Sequence, residues 1–265
     1  MNYRTILLAS AAVMFAGSAV AADLTNPFYL PGQGKLTSDT KIDYRRTEFD
    51  HSDAKLDAWR ATEEVAYGVT DNFAVIGTLG NDFDTEGAYN NDHNFDYKLG
   101  AAYNFSKDNV LAQVKASYYT FNPKDYLGHR GVDARWQKYI NGEVKLGYDM
   151  GEGLTPYVSY GFEGQVDQAD RAFYQTAFAG VHKFAGNWAV DGGLRYDFYT
   201  DGKNANALYA QAEVDYYPYE KLALGVYGDY YLAGNEADVR PLSYAGDLKK
   251  LDTDYTVGVR AKVEF

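Results

Sequence analysis

The sequence predicts an all-β protein, an up-and-down antiparallel transmembrane β-barrel of about twelve strands. Three observations support this fold class: segments in which apolar and polar residues alternate, links that are alternately short and long, and an unusual composition. The chain has 265 residues and contains 26 Tyr, 14 Phe and 26 Gly. A barrel with a polar interior, an apolar outside and aromatic rims has this composition.

The last segment, residues 251–265, shows the alternation most clearly. One face of the extended strand carries Tyr255, Val257, Val259, Val263 and Phe265, and the other carries polar and charged residues. A membrane-crossing strand takes roughly nine to eleven residues, and this segment is long enough. The segment resembles the closing strand of Gram-negative outer-membrane β-barrels, and the resemblance implies that these five residues form the signal read by the barrel-assembly machinery.

Residues 1–22 have the pattern of a secretory signal peptide. A short positive region ends at Arg4, an apolar stretch follows, and Ala19-Val20-Ala21 provides a cleavage site. The apolar stretch is too short to span a bilayer as a helix, which takes about 20 residues. We therefore expect export to the outer membrane of a Gram-negative bacterium, with 23–34 as a periplasmic amino-terminal segment and 35–265 as the barrel.

The rest of the chain divides into strands and links. The pattern predicts strands at 35–47, 56–69, 73–82, 94–105, 110–121, 135–148, 154–165, 173–184, 188–200, 207–217, 222–232 and 251–265. Short turns, such as 70–72 and 185–187, alternate with longer links, such as 83–93, 122–134 and 233–250. This asymmetry predicts short periplasmic turns and longer extracellular loops.

The alternation also predicts which residues face lipid. Aromatic residues that lie beside the short turns are expected to form a belt at the membrane interface, among them Phe73, Tyr103, Phe184 and Trp188. Segment 173–184 has a mixed face in either phase, so its register stays open. A soluble β-sandwich or lipocalin-like barrel would have the apolar face inside. Strand length, the asymmetry of the links and Phe265 favour the membrane barrel.

Charge and cysteine content exclude several classes of partner. The formal net charge is −12, so nucleic acid is not an expected partner. Cysteine is absent, which excludes disulfides and thiol catalysis. The expected partners are outer-membrane lipid and lipopolysaccharide, the barrel-assembly machinery and small solutes. No cofactor is predicted.

The predicted inward face carries charges of both signs, with an excess of carboxylates. The candidate lumen and selectivity residues are Asp96, Lys98, Glu143, Asp191, Arg195, Asp197, Glu213 and Asp229. They could line a narrow water-filled passage that favours cations, or they could fill the interior as ion pairs. Inward tyrosines such as Tyr157, Tyr209 and Tyr227 could form a sugar-binding track or act as bulky spacers. In architecture alone, the chain resembles the oligosaccharide-specific porins.

One predicted loop contains a candidate metal site. Asp82, Asp84 and Glu86 alternate and are followed by Gly87, which resembles the opening of an EF-hand calcium loop. His93 stands where a bidentate Glu would close such a site. A weak calcium site and a solvated acidic loop both remain open.

Catalytic signatures are absent from the sequence. The four histidines show no metal spacing, and the neighbours His51, Ser52 and Asp53 cannot converge as a triad assembled from separate segments would. The protein is therefore not predicted to be an enzyme. The predicted function is a porin-like diffusion channel for small solutes with an acidic lumen. The alternative is a closed structural or surface-interaction barrel that acts through its extracellular loops.

Overall fold

The computed structural model describes residues 23–49, 55–87, 94–121, 137–166, 174–199, 206–236 and 251–265. None of these residues belongs to a helix with the length and hydropathy of a membrane span.

Twelve antiparallel strands form one closed barrel in which each strand pairs with its neighbours in the chain. The strands are β1 (Leu36–Phe49), β2 (Lys55–Thr70), β3 (Phe73–Gly87), β4 (Asn94–Lys107), β5 (Val110–Phe121), β6 (Gln137–Tyr148), β7 (Leu154–Gln165), β8 (Tyr174–Ala185), β9 (Trp188–Tyr199), β10 (Asn206–Tyr219), β11 (Leu222–Glu236) and β12 (Leu251–Glu264). The predicted fold class and strand number are confirmed.

The period-two pattern sorts the side chains between the two faces of the sheet. On β9, for example, Trp188, Val190 and Leu194 lie on the exposed outer face, whereas Asp197 is buried inside. Large apolar side chains cover the outer face around the barrel. The polar side chains point into the interior, which we call the lumen.

The first and last strands close the barrel. Ile42 lies opposite Val259, and the register continues to Ser38 and Val263. Beyond the last residue pair, the Phe265 amide donates to the Leu36 carbonyl at 2.8 Å. The closed ladder therefore leaves no unpaired edge strand.

The two ends of the barrel differ. At one end, tight turns such as Asp71-Asn72 connect consecutive strands, and we call this the turn end. At the other, which we call the link end, the connections lie outside the described residues. Residues 23–34 enter the lumen at the turn end, where the Gly34 amide donates to the Gly68 carbonyl at 2.8 Å.

Three strand predictions differ from the structure. Strand β11 continues to Glu236, four residues past its predicted end at residue 232. Strand β3 continues to Gly87, five residues past its predicted end at residue 82, because it stays paired with β2 as far as Leu56. Strand β8 turns Phe184 inward, where its ring meets Tyr217 edge-on with centroids 5.3 Å apart. The prediction that Phe184 belongs to the lipid-facing belt is wrong, because this ring covers the amino-terminal segment inside the lumen.

Strand β2 contacts the amino-terminal segment at Gly68. Two glycines, one on β2 and one on β3, provide a matched test of this contact. A Cβ atom at Gly68 would overlap the carbonyl oxygens of Pro31 and Gly32, whereas a Cβ atom at Gly77 would meet nothing. We expect Gly68→Ala to lower the free energy of unfolding by about 1 to 3 kcal/mol. Gly77→Ala is expected to change it by less than about 0.5 kcal/mol. Urea unfolding in detergent micelles measures both, and equal effects would contradict the contact.

The lumen as the candidate functional site

The lumen residues predicted from the sequence all face the interior, on strands β4, β6, β9, β10 and β11. They are Asp96, Lys98, Glu143, Asp191, Arg195, Asp197, Glu213 and Asp229. The structure distributes them among several local clusters, which also contain inward residues from β1, β2 and β12.

One cluster is centred on Asp254. Its carboxylate accepts hydrogen bonds from Arg45 Nε at 2.9 Å and Arg45 Nη2 at 2.7 Å. Thr47 Oγ1 and Tyr209 OH also donate to it, at 2.8 and 2.9 Å. The Asp254 side chain is 2% exposed. A buried carboxylate with this many donors is held in its charged form.

Three further arginines each bind two carboxylates, and in each cluster one of the bonds reaches a strand two positions away in the barrel. Arg195 donates to Asp197 at 3.1 Å and to Asp229 at 3.2 Å. The other two arginine clusters are Arg60 with Asp82 and Asp96, and Arg260 with Asp39 and Glu213. Each of these three clusters has one more negative charge than positive charges. Paired charges of this kind satisfy buried groups in a narrow interior.

Tyrosine hydroxyls supply further donors to the lumen carboxylates. Tyr157 donates to Asp191 at 2.9 Å, and Tyr227 donates to Asp43 at 2.8 Å. Tyr209 is bound to Asp254 in the cluster already described. These hydroxyls are therefore used to hold the wall together, which favours the spacer interpretation of these tyrosines over a sugar-binding track.

Residues 23–34, which we call the plug segment, fill the lumen at the turn end. Leu24 is 0% exposed and packs against Ala189, Tyr217 and Ala223. Polar contacts from the wall reach the backbone of the segment: Asn104 Nδ2 donates to the Phe28 carbonyl at 2.6 Å, and Lys145 Nζ donates to the Pro27 carbonyl at 3.2 Å. The segment expected in the periplasm thus lies inside the mouth of the barrel.

A side-chain contact holds the other side of the plug segment. Tyr29 OH donates to Glu264 Oε2 at 2.5 Å, and Lys35 Nζ donates to the other carboxylate oxygen at 2.9 Å. Burial and the neighbouring Glu264 carboxylate raise the pKa of the Tyr29 hydroxyl. The hydroxyl therefore keeps its proton and remains a donor to Glu264.

A histidine binds the start of the plug segment. His182 is buried, and its Nε2 lies 2.8 Å from Asp23 Oδ2 while its Nδ1 lies 3.5 Å from Asp191 Oδ2. Tyr217 OH is 3.4 Å from the other Asp23 oxygen. Sequence reasoning missed this site because His182 lies on the strand of uncertain register, and nothing local to it indicates a partner at Asp23.

Among the described residues, the walls of the lumen enclose a larger and a smaller cavity. The larger, of about 480 Å³, lies toward the link end, with Glu163 and Tyr174 at its rim and Lys98, Asn141 and Arg195 along its walls. The smaller, of about 190 Å³, lies between the plug segment and the wall. Lys115 borders both cavities. The lumen is thus polar along its length and narrowed at the turn end by the plug segment.

The five residues of the predicted assembly signal share the outer face of the barrel at its carboxyl-terminal end, as their alternation in the sequence predicts. Val257, Val259 and Phe265 are exposed on the outer face, and Tyr255 and Val263 share that face partly covered. Their reading by an assembly machinery stays a prediction.

The predicted calcium ligands lie along a strand rather than in a loop. Asp82 is paired with Arg60 at 2.8 Å, and the side chains of Asp84 and Glu86 lie outside the described residues. Calcium binding therefore also stays a prediction.

Comparison with solved structures identifies the fold. The chain superimposes on an outer membrane channel from Pseudomonas putida F1 with a TM-score of 0.66 at 12% identity, covering 91% of this chain and 98% of that one. The fold is that of the outer-membrane β-barrels. The NanC porin follows with a TM-score of 0.52, 12% identity and coverage of 84% and 98%.

The translocator domain of the autotransporter NalP from Neisseria meningitidis is as similar to this barrel as the NanC porin is. Its TM-score is 0.52 at 12% identity, covering 91% of this chain and 92% of that one. No protein-family model and no curated protein sequence matches the chain. A channel, a porin and a translocator domain share this fold, so the fold alone does not select one activity.

The Asp254 cluster gives a test of how the lumen charges contribute to stability. Asp254→Asn leaves the Arg45 guanidinium buried without its carboxylate, and we expect a loss of about 3 to 5 kcal/mol in the free energy of unfolding. Asp252→Asn changes an exposed carboxylate at the irregular start of the same strand, where the register with β1 skips it. It is the control and is expected to change stability by less than about 0.5 kcal/mol. Urea titrations followed by tryptophan fluorescence measure both. Similar free energies of unfolding in the two variants would mean that the Asp254 cluster does not contribute to the stability of the barrel.

Proposed function

We propose that the protein is a porin-like channel of the outer membrane of a Gram-negative bacterium. In this proposal the channel admits small solutes from the link end and is closed at the turn end, in the resting state, by the plug segment. The observation that carries the proposal is the polar cavity of about 480 Å³ at the link end, which leads toward a blockage made of one irregular segment rather than of barrel strands.

The nature of the blockage supports a removable gate. The plug segment contributes no strand to the barrel. It is held by individual hydrogen bonds and by apolar side chains, among them Leu24, Phe28 and Leu30, which pack against the wall. Single hydrogen bonds contribute about 0.5 to 1.5 kcal/mol each, because water replaces them when they break. The segment can therefore leave its site without loss of any pairing between strands.

The charge around the larger cavity supports neutral or cationic solutes. Its lining contains five carboxylates, from Glu143, Glu163, Asp197, Asp229 and Asp254. Four cationic side chains accompany them, from Arg45, Lys98, Lys115 and Arg195. Rings of charged side chains set the selectivity of a pore, and the small excess of carboxylates disfavours anions.

The closed, surface-acting barrel remains a second candidate because of the cross-links inside the lumen. The Arg195 and Arg260 clusters join strands two positions apart, β9 to β11 and β12 to β10, and occupy interior space that a wide pore would leave to water. In that case the link-end loops would carry the function.

The surroundings of the barrel follow from its outer face. We propose that the exposed apolar residues contact lipid and, in the outer leaflet, lipopolysaccharide. Phe265 and the alternate residues of β12 would be read by the assembly machinery before insertion.

Planar-bilayer recordings with a loosened plug segment test the channel. Leu24→Ala removes the buried side chain that anchors the segment, and such truncations weaken packing by about 2 to 5 kcal/mol. We expect brief openings in the unaltered protein and an open probability raised at least about tenfold in the variant, since about 1.4 kcal/mol corresponds to tenfold. Reversal potentials in a salt gradient are expected to show a preference for cations.

Gln33→Ala is the matched control, because Gln33 is exposed within the same segment, and it is expected to leave the open probability unchanged. If both the unaltered protein and Leu24→Ala fold into heat-modifiable barrels that never conduct, the channel is excluded and the closed barrel takes its place.

A further inference from the structure

The smaller cavity, between the plug segment and the wall, is lined by more cations than carboxylates. Its charged lining residues are Lys115, Lys145, Arg260 and Lys262, with Asp39 and Glu64. The larger cavity has the opposite balance, with five carboxylates and four cations. The smaller cavity is therefore a basic site inside a lumen in which carboxylates are otherwise in excess.

The cations reach this cavity from opposite walls. Lys262 lies on β12 and Lys145 on β6, which is six strands away in either direction around the twelve-stranded barrel. Lys115 lies on β5, beside β6. The plug segment adds Pro27 and Tyr29 to the lining. A molecule in the cavity would therefore contact two walls of the barrel and the plug segment together.

Three of the four cations have carboxylate partners. The pairs are Arg260 with Asp39 and Glu213, Lys115 with Glu64, and Lys145 with Glu143. The two lysine pairs are long, with N to O distances of 3.4 Å for Lys115 and 3.6 Å for Lys145. An ammonium group carries three N–H donors, so each of these lysines can also donate to a molecule in the cavity.

Lys262 has no carboxylate partner among the described residues. Asp39 lies opposite it on β1, but the Asp39 carboxylate is bound by Arg260. The Lys262 ammonium lies over the ring of Tyr29, 4.8 Å from the centroid. Such a contact contributes about 0.5 to 2 kcal/mol, whereas withdrawing an ammonium from water costs several kcal/mol. Lys262 therefore lacks a countercharge.

A buried hydroxyl beside Lys262 is also without a partner among the described residues. Thr37 is 4% exposed and lines the same cavity, and its side chain forms no hydrogen bond with them. Thr37 pairs with Glu264 and Lys262 pairs with Asp39, so Thr37 and Lys262 are diagonal neighbours on the inner face, about 7 to 8 Å apart. Leaving a buried hydroxyl unsatisfied is costly, so both donors favour one acceptor in the cavity.

We propose that the smaller cavity binds a small inorganic oxyanion such as phosphate or sulfate, held by Lys262, Thr37, Lys115 and Lys145. The cavity volume is about 190 Å³. One water takes about 30 Å³ in the liquid, so a tetrahedral anion fits with some of its waters. Donors that converge from different walls suit an anion with several oxygens, and its charge supplies what Lys262 lacks.

The bound anion stabilises the docked plug segment. Pro27 and Tyr29 belong to the lining, so the cavity opens to water when the segment leaves. A ligand that binds only the docked arrangement shifts the equilibrium toward it by a factor of one plus the ratio of ligand concentration to Kd. This coupling rests on the proposed gating of the channel, whereas anion binding itself does not.

Calorimetric titration of the full chain in detergent micelles tests the site, with inorganic phosphate as the probe at an ionic strength held constant by sodium chloride. Lys262→Met keeps the length of the side chain and removes its charge. We expect it to weaken phosphate binding at least about tenfold, because a hydrogen bond to a charged group contributes about 1.5 to 3 kcal/mol. Lys107→Met removes an equal charge from an exposed position at the end of β4 and is expected to change binding less than about twofold.

A second variant tests the hydroxyl. Thr37→Val replaces it by a methyl group of similar size, and we expect phosphate binding to weaken at least about twofold, as for the loss of one neutral hydrogen bond. Heat modifiability shows which variants have folded. If Lys262→Met has not folded, the comparison of Thr37→Val with Lys107→Met decides on its own.

Thiol labelling tests the coupling without any measurement of conductance. The chain has no native cysteine, and Leu24 is 0% exposed, so a maleimide reaches Leu24→Cys only when the plug segment leaves. Phosphate at about ten times its Kd is expected to slow labelling at least about fivefold. In the Leu24→Cys, Lys262→Met double variant the same phosphate concentration is expected to have no effect.

Absence of saturable binding up to about 10 mM phosphate would overturn the proposal and leave the cavity to water. Equal weakening by Lys262→Met and Lys107→Met would also overturn it, since phosphate would then respond to overall charge. Saturable binding with unchanged labelling would overturn the coupling to the plug segment. A barrel that binds phosphate but never conducts excludes the channel and leaves the anion site in place, so the two proposals fail separately.

Discussion

The pairing of charges inside a closed ladder is the constraint on which the rest of this structure depends. A barrel in a membrane turns most of its polar residues inward, and in a lumen this narrow the inward carboxylates meet arginines and tyrosines on adjacent strands and on strands two positions apart. Arg45 on β1 holds Asp254 on β12 across the closing seam of the barrel. A slip of one residue in either strand would turn its own charged group toward lipid and leave the other group unpaired, so the same ion pair that satisfies the interior also fixes the register of closure.

The plug segment follows from the same constraint. At the turn end the wall presents polar groups that the strands do not satisfy among themselves, and residues 23–34 supply partners: Asp23 for His182, a carbonyl for Asn104 and the Tyr29 hydroxyl for Glu264. Opening the turn end exchanges these contacts for water while every strand pairing is kept. In the proposed channel, gating is therefore a local equilibrium within the lumen that does not require the barrel itself to change.

The sequence was sufficient for what depends on local alternation. Strand number, the faces of most strands and the inward placement of Arg195 and Asp197 could all be predicted, because a period of two needs only neighbouring residues. The faces of strand β8 could not be assigned in this way. Its inward residues His182 and Phe184 contact Asp23 and Tyr217, which are distant in the chain and therefore cannot be recognised from a local pattern. The sequence leaves open whether residues 23–34 plug the barrel for the same reason, because an irregular segment has no period that indicates where it binds.

The outer face of β1 and β2 breaks the rule that predicted everything else, because it carries Glu63 among apolar residues. The registers with β12 and β3 fix Glu63 outward, so the carboxylate cannot turn into the lumen without moving Glu64, which lies beside Lys115 inside. Local rules that fail at one place in an otherwise consistent sequence indicate a function there. Strand β2 also carries Gly68, whose backbone pairs with the end of the plug segment. The strand that carries Glu63 outside the barrel therefore also holds the end of the plug segment inside it, through the Gly34 amide and the Gly68 carbonyl.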